Sequence, residues 1–344
     1  MRMSSKIGGA AARSVWGADC GVGRRSVLTA LAGIASGPAL AQEAGDWPNK
    51  PVRLVVPFPP GAGNDSLGRV VADQLSRRLG RPVVVENRAG AGGSVGSEAV
   101  AHAAPDGYTL LLGHIGTLAV NPAIYPHLSY DPVRDFAPVA LVATIPEVLA
   151  IHPGLPYPDV QALVADARAN PGKLRYCSAG NGSAGHIAML AFLNATGLQM
   201  EHVPYRGLGP AMNDLIAGTV DITLGGTSSI MPLVIQGLLR ALAVTSTARV
   251  PAFPNLPTVA ETVATGFEVV PWYGVAAPAG TPPAIVSRLN GEINAALSAP
   301  EVVQRLRQEG AEPAPGTPAA FGDLIRAEVP RWDRLIRAAG VTAD

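Results

Sequence analysis

The stretch VRLVVPFPPGAGNDSLGRVVADQLSRRLG, Val52 to Gly80, decides the fold. VRLVVPF is an apolar, β-branched run of strand length. Beyond a turn rich in proline and glycine, Leu67, Val70, Val71, Leu75 and Leu79 recur at helical spacing until Gly80. Asn64 or Asp65 stands where a helix cap belongs. A strand passing through a glycine turn into an amphipathic helix is half of a βαβ unit, and its turn suits an anion.

The same rhythm continues on both sides of a proline-dotted passage, residues 121–157. Before it, PVVVEN, a helix from about 93 to 103 and the strand YTLLLG complete one α/β half. The passage itself holds two strand-like runs and reads as a crossing into a second half. There, helices over 158–169, 185–196 and 209–217 alternate with the strands LRYCSA, EHVPY and VDITL. LRALAVTS reads as a return crossing, YGVAAP as one more strand, and two helices close the chain. In the last helix Phe321, Leu324, Ile325, Trp332, Leu335 and Ile336 share a face despite Pro330. The expected class is α/β: two lobes, each a mainly parallel sheet flanked by helices, joined by crossing hinge strands beside a cleft. Residues 42–143 are assigned to the first part of lobe one, 144–243 to lobe two, and 244–344 to the return and the closing helices.

Residues 1–41 read as an export signal, with Arg24 and Arg25 in front of an apolar run and Ala39-Leu40-Ala41 as a small-residue cleavage pattern. The paired arginines followed by Ser26-Val27-Leu28 suit a twin-arginine address, and Sec export fits as well. The run is short and interrupted by Gly33, Gly37 and Pro38, which argues against a membrane anchor. A periplasmic location follows. Cleavage removes Cys20 and leaves Cys177 alone, without a partner for an intramolecular disulfide, and it reads as a small buried apolar residue rather than a nucleophile. The net charge of +0, with 15% charged residues, provides no basic field for nucleic acid or a membrane surface. The 39 glycines and 32 prolines imply many specified turns.

Six glycine-rich segments, PPGAGND, NRAGAGG, GHIGT, SAGNGSAGH, YRGLGP and GGTSS, each follow an expected strand. In open α/β sheets those positions line the crevice, where glycine lets backbone approach a ligand and helix starts offer N–H groups. A small anion is the implied ligand; tight βα turns alone are the bland alternative for any one loop. Enzyme patterns in these loops fit poorly. GNGSAG, Gly180 to Gly185, matches a dinucleotide fingerprint, but Glu201 opens its strand instead of ending it. GGSVG, Gly92 to Gly96, resembles a nucleophile elbow, but Ser94 sits at a helix start, as a cap would. No P-loop lysine follows any glycine run. The six histidines show no metal-ligand spacing, so neither metal nor cofactor is expected. His186 begins a helix beside a glycine loop and is a candidate ligand donor. Arg206 leaves its strand at the crevice end and suits a bidentate carboxylate grip, or else an ion pair across the cleft. A charge-assisted hydrogen bond contributes about 1.5–3 kcal/mol. Four or five therefore suffice for the roughly 8 kcal/mol of a micromolar site.

Together WPNKPVRLVVPFPPGAGND, VVVENRAGAGGSVGSEAVAHAAPDGYTLLLG, PGKLRYCSAGNGSAGHIAMLAF, HVPYRGLGPAMNDLIAGTVDI, LRALAVTS, PTVAET and GVAAPAGTP resemble the Bug family, the extracytoplasmic solute receptors of tripartite tricarboxylate transporters. The resemblance runs from Trp47 to the last helix. It implies a two-lobed periplasmic binding fold of type II-like arrangement, a non-enzymatic monomer that captures a small carboxylate and delivers it to membrane permease subunits, or presents it to a sensor protein. It implies ligand-facing turns at Pro60, Gly61, Ala62, Gly63 and Asp65 and at Gly116 and Thr117, with ordered water between, and a carboxylate grip by Ser178, Asn181, Gly182 and Ser183. The sequence departs from the family at VDITLGGTSS, where Gly225 stands at the usual aspartate position and Thr227, Ser228 and Ser229 offer hydroxyls instead. A plain, less cationic carboxylate is the expectation. A hydrolase using Ser94 or Ser183 is the alternative from another class.

Overall fold

A computed structural model describes residues 47–61, 63–308 and 310–340. The expected export signal and Ala62 lie outside the described residues. The first lobe opens with β1 (Val52–Val56), α1 (Gly63–Leu79), β2 (Val83–Asn87), α2 (Ser94–Ala101) and β3 (Thr109–His114). One π-helical turn, Gly116–Val120, leads into α3 (Asn121–Ile124), and β4 (Phe136–Thr144) completes this part. The second lobe holds β5 (Glu147–Ile151), α4 (Val160–Ala169), β6 (Arg175–Ser178), α5 (Ala184–Thr196), β7 (Glu201–Pro204), α6 (Leu208–Ile216), β8 (Ile222–Gly226), α7 (Thr227–Ile235) and β9 (Arg240–Val244). The return runs through α8 (Val259–Thr262) to β10 (Trp272–Pro278), α9 (Pro283–Leu297), α10 (Pro300–Gln308), β11 (Glu312–Pro313) and α11 (Pro318–Ala339). Three helices therefore close the chain instead of the expected two: Ser298 ends α9, and Pro300 starts α10 directly behind it.

The first sheet has the order β11-β4-β10-β3-β1-β2, the second β7-β6-β8-β5-β9. In the first, only β10 and β11 run against the rest; in the second, only β5 does. The strands that precede glycine loops thus all end on the same side of their sheet.

Packing follows from the apolar periodicities. On β1, Val52, Leu54 and Val56 face the cluster completed by Leu67, Val70, Val71, Leu75 and Leu79 of α1, while Val55 faces the opposite layer. A β-carbon on Gly68 would lie 2.7 Å from Val56 Cγ2, so the absence of a side chain lets α1 settle onto its strand. The layer under Val55 is continuous between the lobes, joining Leu111 and Leu118 to Leu149, Ile187 and Met189 and, on α11, to Phe321, Ile325, Trp332 and Ile336. Cys177 is buried, its thiol pushed up to about 11 by burial, an unreactive packing residue.

Between the sheets the chain crosses twice, through Ile145-Pro146 and through residues 245–271. The crossings are bonded side by side. Ile145 N–H donates to Pro271 O at 2.9 Å, Thr245 N–H to Glu147 O at 3.0 Å, and Val269 N–H to Thr245 O at 3.1 Å.

Candidate functional site

In the first lobe, the loops after β1, β2 and β3 converge on one aromatic stack. Phe58 lies over the His114 ring at 4.6 Å between centroids, and a β-carbon on Gly93 would meet both Phe58 and the Thr117 methyl. His114 is buried, and burial pushes its ring down to about 4, so it is neutral at physiological pH. Its Nδ1 accepts from Gly116 N–H at 2.6 Å and Thr117 N–H at 3.2 Å, fixing the π-helical turn. The Thr117 hydroxyl closes the same turn, accepting from His114 N–H and donating to His114 O, both at 3.1 Å.

Asp65 organises the first loop. The helix begins at Gly63, so Asp65 falls inside the first turn and reaches back. Its carboxylate accepts from Gly61 N–H at 2.9 Å, Arg69 Nε at 3.0 Å and Asn87 Nδ2 at 3.0 Å. Burial would raise this carboxyl, but the three donors outweigh it and hold Asp65 below the usual carboxylate range. Pro60 and Gly61 stand exposed at the tip.

The second lobe repeats the device at the start of α5. His186 is buried, and its Nδ1 accepts from Gly182 N–H at 3.1 Å. Burial and the neighbouring His202 push it down to about 3. Ser183 caps the helix, its hydroxyl accepting from His186 N–H at 3.4 Å. Ser178 is also buried, 2.7 Å from His202 Nε2, and its oxygen accepts from Gly180 N–H at 3.2 Å. Tyr176, His202 and His186 form one stacked series. Ser178 and His186 therefore shape the loop from behind, while Asn181 and Ser183 are half-buried and Gly182 is buried.

The two turns meet. A β-carbon on Gly116 would lie 3.3 Å from Gly182 O, and one on Gly182 would lie 3.2 Å from Ile124 Cδ1 and 4.0 Å from Asn121 Oδ1. Asn121, which sequence reasoning passed over, is fully buried; its Nδ2 holds Gly92 O at 3.2 Å and Ser94 Oγ at 3.0 Å, and its Oδ1 has no partner among the described residues. Ser94 thus accepts a structural bond and Ser183 caps a helix, and among the described residues neither forms the base pairing a nucleophile needs.

Other expected site residues sit further off. Arg206 is exposed beyond β7. The ion pair weighed for it across the cleft does not form among the described residues. The Thr227 hydroxyl donates to Gly310 O at 2.8 Å and ties α7 to the turn after α10, with Ser228 beside it. At Gly225 a β-carbon would lie 2.9 Å from both Ile230 Cγ1 and Cδ1, so that isoleucine fills the direction an aspartate side chain would take. A groove of about 810 Å³ runs from Asn181 and His186 along α5 to Gly197 and Met200, bordered by Leu335 and Ala338. Among the described residues no cluster suits a metal ion, and no helix is long and apolar enough to cross a membrane.

Two α/β lobes, a double crossing and opposed glycine turns at strand ends define a hinged solute-binding protein. Residues 67–341 match the family described as Tripartite tricarboxylate transporter family receptor, and the chain belongs to it. Its members are periplasmic solute-binding proteins, not enzymes. Protein BugT of Bordetella pertussis is 39% identical over 315 residues, covering 91% of this chain and 95% of that one. Rpa4515 of R. palustris, solved with adipate, superposes with a TM-score of 0.80 at 38% identity, covering 87% and 100%. MatC of Rhodopseudomonas palustris, solved with malate, gives 0.76 at 33% identity, covering 84% and 100%.

Proposed function

We propose that this chain captures a small dicarboxylate between its lobes in the periplasm and delivers it to the membrane permease subunits of a tripartite tricarboxylate-type transporter. The observation that carries the reading is the opposition of two histidine-braced glycine turns, one per lobe, at the start of helical segments. The histidines take the N–H groups of Gly116, Thr117 and Gly182 and so fix the turns, which leaves the other N–H groups of the loops and of the α5 start as anion partners. Closing the lobes strengthens each hydrogen bond by excluding water. The relatives solved with adipate and malate support a dicarboxylate. Within this reading Pro60, Gly61, Gly63, Asn181 and Ser183 present the contact surface, Gly116 and Gly182 join it when the lobes part, and Arg206 and Ser228 stand at its rim. Asp65, Thr117, Ser178, His186 and Thr227 hold that surface in shape. Export by the segment 1–41, the lobe boundaries and a monomeric state belong to the same reading.

A thermal-shift panel of mono-, di- and tricarboxylates, amino acids and sugars tests it. A ligand present at 100 times its dissociation constant stabilises by about 2.7 kcal/mol. Stabilisation by a neutral sugar and by no carboxylate overturns the reading. Transport is tested separately, by co-purification with permease subunits; retention on a membrane signalling protein instead favours the sensor.

A further inference from the structure

Glu147 opens β5, the strand that runs against its sheet, so it lies at the end where β6 and β8 terminate, paired with Gly226. Its backbone is locked at the crossing, N–H donating to Thr245 Oγ1 at 2.9 Å and O accepting from Thr245 N–H at 3.0 Å. Its side chain points to the face of Leu149 and Ile151, which α5 covers. Only 3% of the residue is exposed, and Oε2 has no hydrogen-bond partner among the described residues. That oxygen lies 3.9 Å from where a β-carbon on Gly185 would stand, in the first turn of α5. A buried, unpartnered carboxyl costs stability unless something else uses it.

No cation among the described residues answers it. Neither β8 nor α7 carries a titratable side chain. On β9, Arg240 pairs with the far end of β5 and donates to Leu155 O. From α5 the only titratable neighbour is His186, already neutral, and from β10 it is Tyr273, whose ionisation is opposed first by burial and then by Glu147. Burial alone pushes Glu147 up to about 8. A neutral carboxylic acid has one hydrogen to donate, and Oε2 makes no hydrogen bond among the described residues.

We propose that Glu147 is a specificity-determining residue of the cleft: as a neutral acid it donates a hydrogen bond to the second carboxylate of a dicarboxylate whose first carboxylate rests on the glycine turns. This rests on the carboxylate reading above. Above the acid's own titration the protein takes one proton from solvent for each dicarboxylate bound.

Titration calorimetry with adipate, malate and hexanoate on wild type, Glu147→Gln and Glu147→Leu tests it. Wild-type affinity for the two diacids falls as pH rises above about 8, approaching tenfold per unit. Glu147→Gln keeps affinity within about threefold, since its amide still donates, and loses that pH dependence. Glu147→Leu loses about tenfold or more for the diacids and little for hexanoate. Diacid binding by Glu147→Leu equal to wild type overturns the proposal. So does an equal loss in Glu147→Gln and Glu147→Leu, which would mean that a negative charge is what the ligand needs. Wild type that binds none of the three acids overturns the carboxylate reading itself, and this inference with it.

Discussion

Gly116 and Gly182 belong to different lobes, yet a β-carbon on the first would stand 3.3 Å from the carbonyl oxygen of the second. Behind each glycine a buried, neutral histidine accepts its N–H, His114 on one side and His186 on the other. Each turn is thus fixed from behind by a buried side chain that accepts from its backbone.

Gly182 adopts φ +75, and alanine there adds left-handed strain to a close approach by Ile124. That strain is worth about 1 kcal/mol. Gly182→Ala is expected to weaken dicarboxylate binding at least about tenfold with only a few degrees lost in melting temperature, since backbone displacement at the contact adds to the strain. Unchanged affinity by calorimetry would place binding elsewhere than the opposed turns.

Asp65→Ala leaves Gly61 N–H, Arg69 and Asn87 without their shared acceptor. Loss of about 1–3 kcal/mol of stability follows, with weaker binding through a loosened first loop. Because this carboxyl is held below its ordinary value, its contribution is present above pH 3.8 and disappears as pH falls through the lower folded value. Denaturant melts of wild type and variant should therefore converge at strongly acidic pH.

The buried titratable groups set opposite pH limits. His114 and His186 stay neutral down to about 4 and about 3, so their contribution is complete above 6.5 and is lost on acidification through those values. Glu147 is raised from 4.5 to about 8, so stability declines as pH climbs across that window and levels off above it. The stability gap between Glu147→Gln and wild type should widen from pH 4.5 to 8 by a few kcal/mol. A constant gap in chemical denaturation would show that Glu147 ionises freely.

Gly225→Asp should destabilise the fold by about 2 kcal/mol or more, because the carboxylate would displace Ile230 inside a buried layer. Gly225→Asp with Ile230→Ala should recover part of it. Equal melting temperatures for Gly225→Asp and wild type would contradict the packing found here.

Much of the frame was legible in the sequence because it rests on local periodicity. The face of α1, the strand before each glycine loop and the shared stripe of α11 all follow from apolar spacing. The third closing helix escaped because only the short break at Ser298-Ala299 separates α9 from α10. Asp65 read as a simple cap, whereas two of its three donors, Gly61 and Asn87, come from outside the helix. His114 carried a usable signal: in both His114-Ile115-Gly116 and His152-Pro153-Gly154 the ring Nδ1 accepts the glycine N–H. Glu147 carried none, since its isolation comes from Thr245, Gly185 and Tyr273, which are distant in the chain.

The paired crossings have a mechanical consequence. Bonds from Ile145 to Pro271 and from Thr245 to Glu147 couple the two connections like plies of one spine, so neither bends without the other. Sliding of one lobe past the other would break both sets of bonds, whereas rotation keeps them. On the proposed reading, ligand capture is then channelled into a single angular coordinate, and a permease subunit would need to sense only one variable, open or shut.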